Sequence, residues 1–178
     1  MRNIVFALVL ICSVFTIKAQ EHELEVSPYY AKHEVQLNGI MLVVGAVEVG
    51  YEYLLNDESG VGISVFLPYD DEVLNDIKYY VSPYYRYYFG KKYAGGFFLE
   101  GFGMLNRSDR ELKFFFFDDN RDNFVTDFAL GLGIGGKWIT KKGFVGEINY
   151  GFARQLFETN ESEYNFIGKF GISIGYRF

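Results

Sequence analysis

Nine charged residues stand where charge would do chemistry: Glu48, Glu52, Lys78, Arg86, Glu100, Asp127, Glu147, Lys169 and Arg177. Each lies in a segment that alternates apolar and polar residues, on the polar side of that alternation. Five acids against four bases is near balance. Brought into one interior, such a set either neutralises itself in a paired network or lines a path for ions. A buried charge without a partner is very costly, so mixed signs in a filled interior favour pairing. Asp118-x-Asn120-x-Asp122 has the alternating oxygen ligands of a calcium loop. However, Asn123 stands where such a loop needs glycine, and Ala129 where it needs a bidentate glutamate, so it reads as an acidic surface loop and no metal is assigned. The histidines are His22 and His33, both at or before the first strand, and the single cysteine is Cys12. No Ser/His/acid grouping can be placed on neighbouring strand ends. Glu48 and Glu52 share a face but have no cleft, so neither an enzyme nor a cofactor is expected.

The segments that carry these charges have the strand period of two, in which successive side chains point to opposite faces. The ending shows it best. Phe166, Phe170, Ile172, Ile174, Tyr176 and Phe178 fall on one side with Gly168; Lys169, Gly171, Ser173, Gly175 and Arg177 fall on the other, with Ile167 the exception. The same pattern predicts strands over about His33–Val43, Val47–Leu55, Gly60–Leu67, Ile77–Phe89, Ala94–Asn106, Phe124–Trp138, Phe144–Phe157 and Phe166–Phe178. Gly131, Gly133, Gly135 and Lys137 form the polar side of the sixth. Pro83 interrupts the fourth, and a bulge is expected there because proline cannot donate to a ladder.

The first twenty residues stand apart. Arg2, an apolar run from Ile4 to Ile17, and Ala19 before Gln20 make residues 1–19 a secretory signal peptide, leaving 20–178 as one barrel domain. The run falls short of the roughly 20 apolar residues a spanning helix needs. Removal of Arg2 and Lys18 leaves 15 of the 17 basic residues against 23 acidic ones, a formal −8, and no cysteine. No disulfide framework is available to the mature chain, and scattered negative charge argues against a nucleic-acid partner. No later run is long enough for a spanning helix, so a membrane crossing requires a closed sheet.

The greasy faces point either into a soluble core or out into lipid. The chain has 15 tyrosines, 19 phenylalanines and one tryptophan, the stock of aromatic girdles at membrane interfaces. Glycines cluster on the charged side, where a crowded lumen needs them and a solvated face would only be weakened by them. Connections alternate as well: Asn56–Ser59, Gly90–Tyr93 and Ile139–Gly143 are short, whereas those over 68–76, 107–122 and 158–164 are long; of the surface connections only the first, Val44-Gly45-Ala46, is short. Short periplasmic turns and longer surface loops are the outer-membrane pattern. The expectation is an all-β, eight-stranded antiparallel up-and-down transmembrane β-barrel in the cell outer membrane, reached by Sec-type export.

Several strings resemble a known family. Gly45-Ala46-Val47-Glu48-Val49-Gly50-Tyr51-Glu52-Tyr53-Leu54-Leu55-Asn56 is one; Ser82-Pro83-Tyr84-Tyr85-Arg86-Tyr87-Tyr88-Phe89-Gly90-Lys91-Lys92 is another. With Gly96-Phe97-Phe98-Leu99-Glu100-Gly101-Phe102-Gly103 and the ending Gly175-Tyr176-Arg177-Phe178, they resemble small outer-membrane β-barrel proteins of Bacteroidetes, OmpA/OmpX-like and without an established activity. The resemblance implies the barrel and its address and carries no activity with it. Ile174, Tyr176 and Phe178 also look like the terminal signal read by the barrel-insertion machinery, in its loose form.

An eight-stranded barrel is just wide enough for side chains to fill. The first functional expectation is therefore a structural or interaction role in the cell envelope, through surface loops and an envelope or extracellular protein partner at 107–122. Within that loop Phe114, Phe115, Phe116 and Phe117 form either a patch for a partner or a cap over the lumen mouth. The alternatives are a narrow pore for ions or small solutes, and a soluble lipocalin-like periplasmic binder.

Overall fold

The computed structural model describes residues 31–70, 77–109, 124–156 and 166–178. The leader, Phe114–Phe117, the Asp118–Asp122 loop and the Asp127 side chain lie outside the described residues. Eight strands close into one antiparallel barrel in chain order: β1 (His33–Asn38), β2 (Ala46–Leu54), β3 (Ser59–Pro68), β4 (Ile77–Tyr88), β5 (Gly96–Asp109), β6 (Phe124–Ile139), β7 (Phe144–Gln155) and β8 (Phe166–Arg177). Closure comes where β8 returns to β1, with Glu34 opposite Arg177 and Leu37 opposite Ile174. Closure leaves the sheet without an edge strand.

Alternation assigns the faces, and it does so inside out. Val49, Tyr51, Val61, Ile63, Leu99, Leu132, Ile134, Ile148, Phe170 and Ile172 all point outward and are exposed, Leu132 at 77 %. The interior holds Glu34, Glu52, Arg86, Lys137, Glu147 and Arg177, none more than 2 % exposed. A soluble barrel would bury the first set. This arrangement suits a sheet whose outer solvent is hydrocarbon.

Glycine makes the crowded interior possible. A Cβ at Gly135 would meet the Phe98 ring and the Ile148 carbonyl; one at Gly131 would meet the Phe102 ring and the Phe152 carbonyl. The rings lie directly on strand β6 where it has no side chain to hold them off. That packing fills the lumen from β5 without widening the barrel.

Two local expectations need correction. The first strand does not run to Val43: it stops at Asn38 and gives way to a short helix, α1 (Gly39–Val44). The Asn38 side chain accepts from the Ile40 and Met41 amides at 3.2 and 3.5 Å, and Gly45, at φ 112°, ends the helix by donating to the Met41 carbonyl. These are the usual N-cap and left-handed glycine stop. The bulge is not at Pro83 either. Register on β5 is unbroken from Val81↔Leu105 to Tyr84↔Phe102 and shifts instead between Ile77 and Tyr79. Opposite Pro83, the Gly103 carbonyl accepts the Ser82 hydroxyl at 2.8 Å, so a side chain stands in for the proline's missing N–H.

Candidate functional site

The site is the lumen, and its residues come from almost every strand. At the end of the short connections, Arg177 on β8 pairs with Glu34 on β1 through Nη2, and its Nε donates to the same carboxylate at 2.7 Å. Its guanidinium also donates to the Tyr93 and Ala94 carbonyls at 2.8 and 2.9 Å, in the connection between β4 and β5. Beneath this, Leu54, Tyr88, Ala94 and Phe98 form an apolar plug.

Lys137 stands one layer in. Its ammonium is 2.8 Å from both Glu34 and Glu52 and 3.6 Å from Glu147. The Tyr88 hydroxyl accepts from Lys137 at 2.6 Å and donates to Glu52 at 2.5 Å, joining cation and carboxylate. Arg86 occupies the middle. It reaches Glu52 and Glu100 at 2.8 and 2.7 Å and takes Glu147 bidentately, with both bonds at 2.8 Å. Forked pairing of this kind uses the planar geometry of guanidinium and carboxylate together. Gln36 adds amide bonds to Glu34 and Glu147 at 3.2 and 3.1 Å.

Toward the long loops Lys169 pairs with Glu100 at 2.9 Å. Its ammonium lies 5.3 and 5.0 Å from the Tyr84 and Phe102 ring centres, and Arg86 lies 4.3 Å from Tyr84 and 4.4 Å from Phe98. Aromatic faces thus cover the cations where carboxylates do not. Glu48 is buried there and accepts from Asn38 at 2.7 Å. Above it the character changes to Phe66, Tyr80, Phe102 and Met104, with Met41, Ile77 and Ile167 packed against them. Ile167, the exception on the polar side of β8, belongs to this apolar mouth.

Four carboxylates, Glu34, Glu52, Glu100 and Glu147, thus meet four cations, Arg86, Lys137, Lys169 and Arg177. The void left beside Arg86, Ser64 and Asn149 is about 20 Å³, about the space of one water. A larger apolar cavity of about 200 Å³ lies at the mouth, between α1, Phe66 and Met104. The chemistry of this arrangement is charge neutralisation. Among the described residues no cluster of three or more acids, histidines or cysteines is placed to hold a metal. His33, on the outer wall, hydrogen-bonds the Tyr51 hydroxyl at 2.7 Å and stacks on Phe178.

Of the residues singled out from sequence, Glu52, Arg86, Glu100, Glu147, Lys169 and Arg177 meet in the network, and Glu48 lies in the same lumen. Lys78 lies half-buried at the loop end of β4, beside the register shift. Ile174, Tyr176 and Phe178 line the outside of the closing seam. Two members were missing from the sequence-derived charge set. Lys137 continues the glycine row Gly131, Gly133, Gly135, and Glu34 shares its side of β1 with Gln36 and Asn38. Parity could have found both.

A family model described as "Protein of unknown function (DUF3575)" matches residues 5–170, and the chain belongs to that family. Comparison with curated proteins gives no match. Among solved structures, the backbone structure of the Yersinia pestis outer membrane protein Ail in a phospholipid bilayer nanodisc is similar. It is 16 % identical, with 83 % of this chain and 99 % of that one covered, at a TM-score of 0.40.

Proposed function

We propose that this member of the DUF3575 family is a closed outer-membrane barrel, exported with removal of residues 1–19 and inserted by the barrel-assembly machinery through its Ile174-x-Tyr176-x-Phe178 ending. Its role is a structural or interaction one within the cell envelope, exercised through its surface loops, with 107–122 as the segment that meets a protein partner. It is neither an enzyme nor a conduit. One observation carries the reading: Arg86 spans the middle of the lumen and holds carboxylates from β2, β5 and β7 at once. A path for ions would have to break pairs that are buried and mutually neutral, at a cost of several kcal/mol. The exposed apolar wall of a closed sheet supports the membrane address, since a closed sheet satisfies its own backbone groups in lipid.

Two measurements test this. Planar bilayers carrying the purified mature chain should show no conductance above an empty-detergent control; reproducible single-channel steps would replace the reading with that of a pore. Protease added to intact cells should cut within 107–122 and spare 90–93 until lysis. Release of an uncut protein by osmotic shock would remove the membrane address.

A further inference from the structure

The outer wall is not uniform. On β5 the outward positions read Phe97, Leu99, Gly101, Gly103, Leu105, so two successive positions carry no side chain. An ideal Cβ at Gly101 would have no atom within 4 Å, which marks open space outside the sheet. The result is a groove of about 740 Å³ running from Gly101 and Gly103 past Leu130, Leu132 and Phe152 to Arg154. Its floor is open backbone at Gly101, while the Phe128 ring lies against Gly103; its banks are aliphatic and aromatic, and one end carries a cation.

The height of that cation matters. Arg154 is exposed and outward, opposite Leu130 and Phe166 in the neighbouring strands. Along β7 it lies ten residues beyond Phe144, which marks the other rim. At roughly 3.3 Å per residue and a tilt of about 40°, the two are about 25 Å apart along the barrel axis, the height of the apolar band of such barrels. Arg154 therefore stands at headgroup level on the side of the long loops, where a lipid-facing charge costs little and can reach the headgroup region.

We propose that this groove seats one acyl chain of a lipid with an anionic headgroup, and that Arg154 binds the headgroup. The assignment rests on the membrane reading above. Two features point to such a lipid. The groove is apolar along its length, so it offers a chain nothing to desolvate. A guanidinium at the rim is complementary to a phosphate or carboxylate at the same height.

The test uses the mature chain in nanodiscs of phosphatidylcholine with a minor fraction of phosphatidylglycerol, transferred to detergent and examined by native mass spectrometry. Wild type should retain one phosphatidylglycerol in preference to phosphatidylcholine. A Cβ at position 101 meets no atom, so Gly101→Leu should fold; its side chain occupies part of the groove and should reduce retention about tenfold, the effect of losing roughly two buried methylenes. Arg154→Gln should abolish the headgroup preference while leaving some lipid bound. Equal retention in wild type and both variants, or no preference in wild type, overturns the site. Dimers that Gly101→Leu dissolves would assign the groove to a second copy of the chain and overturn the lipid. Heat-modifiable gel migration of each variant in the nanodisc reports insertion separately. If wild type never inserts, the membrane reading fails, and the groove's occupant falls with it.

Discussion

Arg86 and Glu147 join strands that are not neighbours. Their two parallel hydrogen bonds, both 2.8 Å, run from β4 to β7 across the interior of a sheet in which β4 pairs only with β3 and β5. The bond is thus a strut across the lumen, independent of the backbone ladder. Replacing Arg86 by Ala would leave Glu52, Glu100 and Glu147 short of their shared cation in a buried setting. The expected loss is roughly 3–5 kcal/mol of barrel stability, read by urea unfolding in lipid vesicles. A loss under 1 kcal/mol would mean that the pairs contribute nothing net.

Tyr88 is expected to matter through one atom. Its hydroxyl lies between Lys137 and Glu52, whereas its ring packs on Phe98 at 5.5 Å between centres. Tyr88→Phe keeps the ring and removes the bridge, so the same unfolding measurement should show a loss of roughly 1–3 kcal/mol. No change would place the ring alone in the structural role.

Gly135 should tolerate nothing larger. Its missing Cβ is the space into which the Phe98 ring packs. Gly135→Ala should cost roughly 1–3 kcal/mol by overpacking and lower the heat-modifiable fraction on refolding. The paired variant Gly135→Ala with Phe98→Leu should regain part of that loss, because the smaller side chain vacates the contact.

Leu132 separates lipid from water as the outer solvent. It is among the most exposed large apolar side chains and lies midway along β6. In a bilayer Leu132→Arg should cost roughly 2–4 kcal/mol. In a protein surrounded by water the same change would be close to neutral and would raise solubility, and that outcome would reverse the membrane reading.

The period of two made most of this fold legible. Most of the eight segments alternate, the fifth least cleanly, and where they do the face a residue takes follows from parity, as with Glu52 against Tyr51 and Tyr53. The end of β1 was not legible for a physical reason. Ile40, Met41, Leu42, Val43 and Val44 are apolar throughout and carry no period, so only Asn38 as a cap and Gly45 as a stop distinguish the helix. Proline as a rule breaks a ladder, whereas at Pro83 the neighbouring Ser82 supplies the missing donor. The charge partners were hidden more deeply. Which cation meets which carboxylate depends on the stagger between strands, and no single strand states its stagger. Glu34 meets Arg177 only because β1 and β8 close in that register.

That closure also sets an order of events. Arg177 lies on the eighth strand, yet it anchors Glu34 on the first and holds the Tyr93 and Ala94 carbonyls between the fourth and fifth. The interior is incomplete until β8 has paired with β1. A folding intermediate that lacks β8 therefore stays electrostatically unfinished, with Glu34 short of its guanidinium, and cannot latch shut.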